Sequence, residues 1–215
     1  MTLGVKINQT KYDVFKWRYE LSIPRKLVLA FGVAILTGLL AQVKIVNPLM
    51  PDIPITGQTF AVLLAGVFLG KWWGGVSMAI YGGLGWIGVP WFSGWQAGIT
   101  ATGGYIIGFI LAALFLGYFM DKYVRSRSFL AMFGLMLIAA FVLVWVPGLV
   151  WRTVWMNTIG LKSVSFLTSL TGSVPFIPGD ILKAVAAAGA ARAITPKKAY
   201  GKETDGDKWS AWRLP

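Results

Sequence analysis

The chain contains no cysteine and no histidine. These absences exclude disulfides, thiol nucleophiles, the usual zinc ligand sets and a Ser-His-Asp triad. Acidic residues are scarce: 8 Asp and Glu stand against 20 Lys and Arg, for a net charge of +12. Charge of both signs together makes up only 13% of 215 residues, while 56% are hydrophobic. A soluble domain of this size needs more charge to cover its surface, so lipid must cover much of this one. A strongly basic chain can bind nucleic acid. Here the cations fall between apolar runs, where the cytoplasmic loops of a membrane protein collect them, and nucleic acid is not an expected partner.

What the chain has in quantity fits a bilayer. Its 26 glycines suit closely packed membrane helices, and many of its 11 tryptophans sit at the ends of apolar runs, the depth an amphipathic ring prefers. The apolar runs predict an all-α, polytopic membrane protein with six spans, at 27–46, 56–70, 74–88, 103–120, 129–150 and 178–194. Several are nearer 15 than 20 residues and need tilt, local thinning or burial. Residues 1–26 form a basic N-terminal segment in which Val14, Trp17 and Leu21 recur at helical spacing, which predicts a helix lying in the membrane surface. Residues 27–194 are the membrane domain, and 195–215 a polar, mobile tail. With the N-terminus inside, sixteen of the twenty Lys and Arg fall on the inner side. Lys44, Arg152 and Lys162 fall outside, and Lys183 lies within a span. The asymmetry predicts both termini in the cytoplasm.

Two glycine motifs are decoys. Gly83-Leu84-Gly85-Trp86-Ile87-Gly88 matches G-x-G-x-x-G but ends an apolar helix, with no acid about twenty residues on. Gly66 to Lys71 resembles a phosphate loop with one residue too few, and Trp72 stands where Ser or Thr belongs. Energy from ATP must therefore come from a partner.

The chemistry concentrates at Asp180 and Lys183. Three residues apart, they share a helix face just after the break at Pro175-Phe176-Ile177-Pro178-Gly179. Ionisable groups inside a span are costly and functional by default. An ion pair bracing the helix start is the competing reading. The loop from Pro90 to Tyr105 has no charge and offers Trp91, Ser93, Trp95, Gln96, Thr102 and Tyr105, the mixture a pocket for a small, partly apolar ligand needs. Gln58 and Thr59 add polar groups on the second span. No acidic pair or metal cluster supports an intramembrane enzyme. A scaffold without a ligand remains the other class.

Four segments resemble the BioY family in sequence and order: Pro54 to Gly66, Gly85 to Phe92, Thr102 to Phe109, and Pro175 to Lys183, the most specific. The resemblance implies a biotin-binding S component of an energy-coupling factor (ECF) transporter, not an enzyme. It would sit in the cytoplasmic membrane and work with a transmembrane coupling subunit and two ATPase subunits. It implies six helices and an outward-facing site lined by Asp180 and Lys183, with biotin as ligand and no metal. An S component for another small vitamin is the near alternative. Biotin's ureido ring presents two N–H donors to Asp180 and a carbonyl to Lys183, with its carbon skeleton against Trp91, Trp95 and Tyr105. Ala101 stands where many relatives have Pro, and the loop has no Arg for the carboxylate, which leaves Gln96, Ser93 and backbone N–H groups. The resemblance also implies a small-residue ridge on the first span for docking the membrane partner, here Ala30, Ala34 and Gly38. Packing within the subunit is the other use of such a ridge.

Overall fold

The computed structural model describes residues 3–45, 55–160 and 163–206. It is built almost wholly of helices: α1 (Leu3–Glu20), α2 (Ile23–Leu40), α3 (Gln58–Leu69), α4 (Lys71–Trp86), α5 (Gly103–Lys122), α6 (Phe129–Ile138), α7 (Trp145–Thr158), α8 (Phe166–Ser173) and α9 (Ile177–Ile194). Two short strands, β1 (Lys44–Ile45) and β2 (Ile55–Thr56), pair antiparallel with Lys44 opposite Thr56. The expected loop at Leu49–Ile55 falls mostly outside the described residues.

Among the described residues four helical rods are long and apolar enough to cross a membrane: Ile23–Leu40, Gly103–Lys122, Phe129–Thr158 and Phe166–Ile194. The expected second and third spans are α3 and α4, of 12 and 16 residues. At 1.5 Å per residue α3 rises only about 18 Å. Gly70 alone joins them, at φ 81°, a left-handed conformation that favours glycine. The third rod runs past its expected end at Val150 to Thr158, through a π-helical stretch, Ala139–Val144. Pro147 is the cause: it cannot donate to the carbonyl of Leu143, and the wider turn before it accommodates its ring. The fourth rod breaks at a 3-10 turn, Val174–Phe176, and Pro178 then occupies the first turn of α9, where a missing N–H costs nothing.

α5 is the central helix and packs against α3, α4 and α7. Hydrophobic burial does little to join helices in lipid, so close backbone approach has to. A Cβ on Gly66 would stand 2.6 Å from the Ala113 carbonyl oxygen, and one on Gly108 2.6 Å from that of Leu143. These glycines set how near α3 and the π turn come to α5. Gly66, which opens the phosphate-loop look-alike, is thus a packing residue. The outer face of α2 shows Leu27, Val28, Phe31, Ile35 and Leu39 to its surroundings, as lipid contact requires.

The expected helix α1 forms and docks through the buried Phe15 and Arg18, with Leu21 buried just after it and Val14 and Trp17 exposed. One sequence expectation needs correction. The tail expected to be mobile is folded back over residues 195–206, with Tyr200 buried against Phe15. Arg18 Nη2 donates to Tyr200 Oη at 3.0 Å and to Asp121 Oδ1 at 3.1 Å. Asp121 Oδ2 accepts from the Lys71 amide at 2.9 Å, at the start of α4. Arg127 pairs with Glu203 at 2.5 Å and lies 4.3 Å from the centre of the Tyr200 ring. A polar tail thus finds partners because two buried arginines need them.

Candidate functional site

The starts of α3, α5 and α9 converge at the end of the bundle opposite Asp121 and Tyr200. They surround a cavity of about 380 Å³ bordered by the 92–102 loop and by Lys44 on β1. Asp180 sits in the first turn of α9 and is 7% exposed. The positive end of the helix favours a carboxylate there. Its Oδ1 lies 2.6 Å from Lys183 Nζ, and its Oδ2 accepts from Trp145 Nε1 at 2.8 Å. Both oxygens are held by one bond each, which leaves further lone pairs facing the cavity, and the ammonium keeps N–H groups to donate.

Of the sequence-expected site residues, Asp180, Lys183, Gln58, Ser93, Gln96, Thr102 and Tyr105 line this cavity. Gln58 is committed already: its Nε2 donates to Tyr81 Oη at 2.5 Å and its Oε1 accepts from Thr56 Oγ1 at 2.8 Å. It shapes the wall with its amide locked. Ser93 Oγ is buried and has no hydrogen-bond partner among the described residues. Thr102 Oγ1 is 2.9 Å from Thr100 Oγ1, and Trp151 Nε1 holds the Thr100 carbonyl at 2.9 Å. Tyr105 stacks its ring over Gly148, where a Cβ would collide with it.

Trp91 and Trp95 are not in the cavity. Trp91 is buried in the core, its Nε1 donating to the Tyr81 carbonyl at 2.9 Å and its ring 5.4 Å from that of Tyr81. Trp95 is 62% exposed, thrown outward at the tip of the loop by a left-handed φ of 58°. An uncharged loop gives no sign of which aromatics turn inward, and Phe92 lines the cavity in their place. The ridge of Ala30, Ala34 and Gly38 likewise faces inward, fully buried in the seam with α4. Ser77 Oγ of α4 donates to the Ala30 carbonyl at 2.8 Å, and Gly38 packs on Trp91. In this structure the ridge packs within the subunit, against described residues of α4 and Trp91.

Several residues of the site escaped sequence reading. Trp145 lies in a long apolar run, where its N–H had no visible purpose. Phe109, Val144, Ser173 and Phe176 line the cavity as well. Lys44 read as a stray loop charge but borders the mouth. Gln42, at the end of α2, pins the loop: its Oε1 accepts from the amides of Gly94 and Trp95, both at 3.1 Å, and its Nε2 donates to the Phe92 carbonyl at 3.1 Å.

The arrangement suits recognition rather than covalent chemistry. A fixed carboxylate and a fixed ammonium sit side by side at the inner end of a small cavity with apolar and neutral polar walls, the form of a small-ligand site. Comparison with known proteins agrees. The BioY family model matches residues 9–200. A probable biotin transporter BioY of Methanothermobacter thermautotrophicus is 49% identical over 157 residues, covering 71% of this chain and 100% of that protein. A biotin transporter BioY of Rhizobium etli is 32% identical over 176 residues, or 74% of this chain and 91% of that one. The crystal structure of the S-component for biotin from an ECF-type ABC transporter superposes with a TM-score of 0.68 at 23% identity. It covers 80% of this chain and 93% of that one, and the likeness is one of fold.

Proposed function

The chain belongs to the BioY family, and from that premise we propose that it is the biotin-binding S component of an ECF transporter in the cytoplasmic membrane. It binds biotin at the cavity and works with a transmembrane coupling subunit and two ATPases, which supply the energy. Six helices cross the bilayer, α3 and α4 among them, with both termini inside. The Lys and Arg distribution supports that orientation.

One observation carries the ligand assignment: the Asp180–Lys183 pair, oriented by Trp145, at the inner end of the cavity. A ureido group needs an acceptor beside a donor, both held in place. The aspartate takes a ureido N–H and the ammonium gives to the carbonyl, two charge-assisted hydrogen bonds. Because the protein pair already exists, little side-chain freedom is lost on binding. Phe92, Phe109, Val144 and Phe176 receive the carbon skeleton.

The test is saturation binding of labelled biotin to the purified, detergent-solubilised chain. We expect binding that unlabelled biotin competes away. Asp180→Asn and Lys183→Met should each weaken it by about tenfold to a hundredfold, the worth of a hydrogen bond to a charged group. A folded protein that does not bind biotin, or one for which another vitamin competes better, would reassign the ligand. Unchanged affinity in both variants would move the site elsewhere.

A further inference from the structure

A second pocket lies at the other end of the bundle, away from the ligand cavity. Its volume is about 150 Å³, and its walls include Arg18 and Tyr19 of α1, Lys26 of α2, Trp72 and Trp73 of α4, and Asp121 of α5. Lys26 stands in the first turn of one membrane-length rod and Asp121 in the last turn of another. The pocket therefore opens at a membrane surface, at the depth of the lipid headgroups. Trp72, 66% exposed on its wall, suits that depth.

Its charges leave a surplus. Arg18 and Asp121 cancel each other at 3.1 Å, and the second Asp121 oxygen is taken by the Lys71 amide. Lys26 Nζ donates to the Tyr19 carbonyl at 2.8 Å and keeps further N–H groups to give. Among the described residues it has no acidic partner. Neither has Lys71, whose Nζ rests 4.4 Å from the centre of the Trp72 ring. Arg18 is 4% exposed, and its Nε is buried without a hydrogen-bond partner among the described residues. A buried donor without a bond is costly and points to a group supplied from outside.

A cationic surplus at headgroup depth calls for an anion. A free anion and a lipid phosphate share that chemistry, and a second feature of the same two helices favours the lipid. Leu27 and Phe31 of α2 and Ile80 and Leu84 of α4 line an apolar groove. Such a groove packs against hydrocarbon and offers nothing to a small hydrated ion. We propose that this end of the protein holds one anionic phospholipid, its headgroup phosphate in the pocket against Lys26 and Arg18 Nε and an acyl chain in the α2–α4 groove. In the orientation proposed above, that lipid belongs to the cytoplasmic leaflet. Lys26 gives the phosphate a charge-assisted bond, and a zwitterionic lipid, which carries its own cation, gains less from the surplus. The pocket shares no residue with the ligand cavity, so this inference stands or falls apart from the biotin assignment.

The experiment is native mass spectrometry of the detergent-purified chain, titrated with phosphatidylglycerol or with phosphatidylcholine. Wild type should retain one phosphatidylglycerol about fivefold more tightly than phosphatidylcholine, the worth of one lysine at a lipid surface. Lys26→Met should bring phosphatidylglycerol down to the level of phosphatidylcholine, leaving the latter and the thermal midpoint in lipid-free detergent nearly unchanged. Lys26→Arg should keep the preference. A Cβ on Gly83 meets nothing within 4 Å, so Gly83→Leu should enter the groove and weaken both lipids alike. Glycerol phosphate, which has the headgroup without the chains, should fail to displace the lipid at equal concentration. Equal retention of the two lipids by wild type overturns the inference, as does a Lys26→Met variant that keeps the preference. Displacement by glycerol phosphate, or lipid binding unchanged in Gly83→Leu, would overturn the lipid as occupant.

Discussion

Two sets of buried ion pairs lie at opposite ends of this helical bundle. At one end Asp180 and Lys183 meet in a cavity of about 380 Å³. At the other, Arg18–Asp121 and Arg127–Glu203 close around Tyr200. Both are polar clusters of short contacts inside an apolar frame, so an ion pair alone does not mark a site. What separates them is how the remaining bonding capacity is used. Arg127 also donates to the carbonyls of Met120 and Lys198, and Glu203 also accepts from the amides of Tyr200 and Gly201. That cluster spends its hydrogen bonds on tying α1, α5 and the tail together. Among the described residues Asp180 takes only Trp145 and Lys183, which leaves part of its capacity open towards the cavity it lines. The Arg127–Glu203 cluster makes its bonds within the protein, and the Asp180–Lys183 pair keeps part of its own capacity open.

That contrast can be broken most sharply by mutating one partner at each end. Arg127→Met strands Glu203, whose side chain is fully buried, and should cost about 3–5 kcal/mol, read as a large fall in the thermal midpoint in detergent. Biotin affinity below that midpoint should hold. Lys183→Met should do the reverse, with a large loss of affinity and a smaller loss of stability. A variant that lost both together at either end would erase the distinction.

Next in size is pH. Burial pushes the Glu203 carboxyl up, but its bonds to Arg127 and to the Tyr200 amide outweigh this and hold it below the ordinary carboxylate value. Its contribution to stability is therefore complete above that ordinary value and is lost as pH falls through the lowered one. Tyr200 is the opposite case: burial raises it to about 12, against the pull of Arg18 and Arg127. The fold prefers its neutral form, so stability holds below the ordinary value of 10.0 and is lost as pH rises towards about 12. Glu203→Gln should flatten the acid limb of the stability profile and Tyr200→Phe the alkaline limb.

The smallest expected effect concerns the loop over the cavity. Gln42→Ala removes the acceptor for the amides of Gly94 and Trp95, worth about 1 kcal/mol. Hydrogen exchange at those two amides should quicken, and biotin dissociation should quicken modestly, with the thermal midpoint nearly unchanged.

The amino-acid sequence by itself determined the apolar rods, the break at Pro175–Pro178 and the Asp180–Lys183 pair, because hydropathy, helix breakers and three-residue spacing are local properties. It also carried, in order, four segments that mark the BioY family. Only the tertiary structure decided that Trp145, about 35 residues before Asp180, donates to it, that Lys44 stands at the mouth, and that Trp91, Trp95 and the Ala30–Gly38 ridge belong elsewhere. The physical reason is that a helix apolar all round has no polar stripe to show which face turns inward. In lipid that choice is made by which backbones can come close enough to pack, and closeness between segments far apart in the chain is not written in either one.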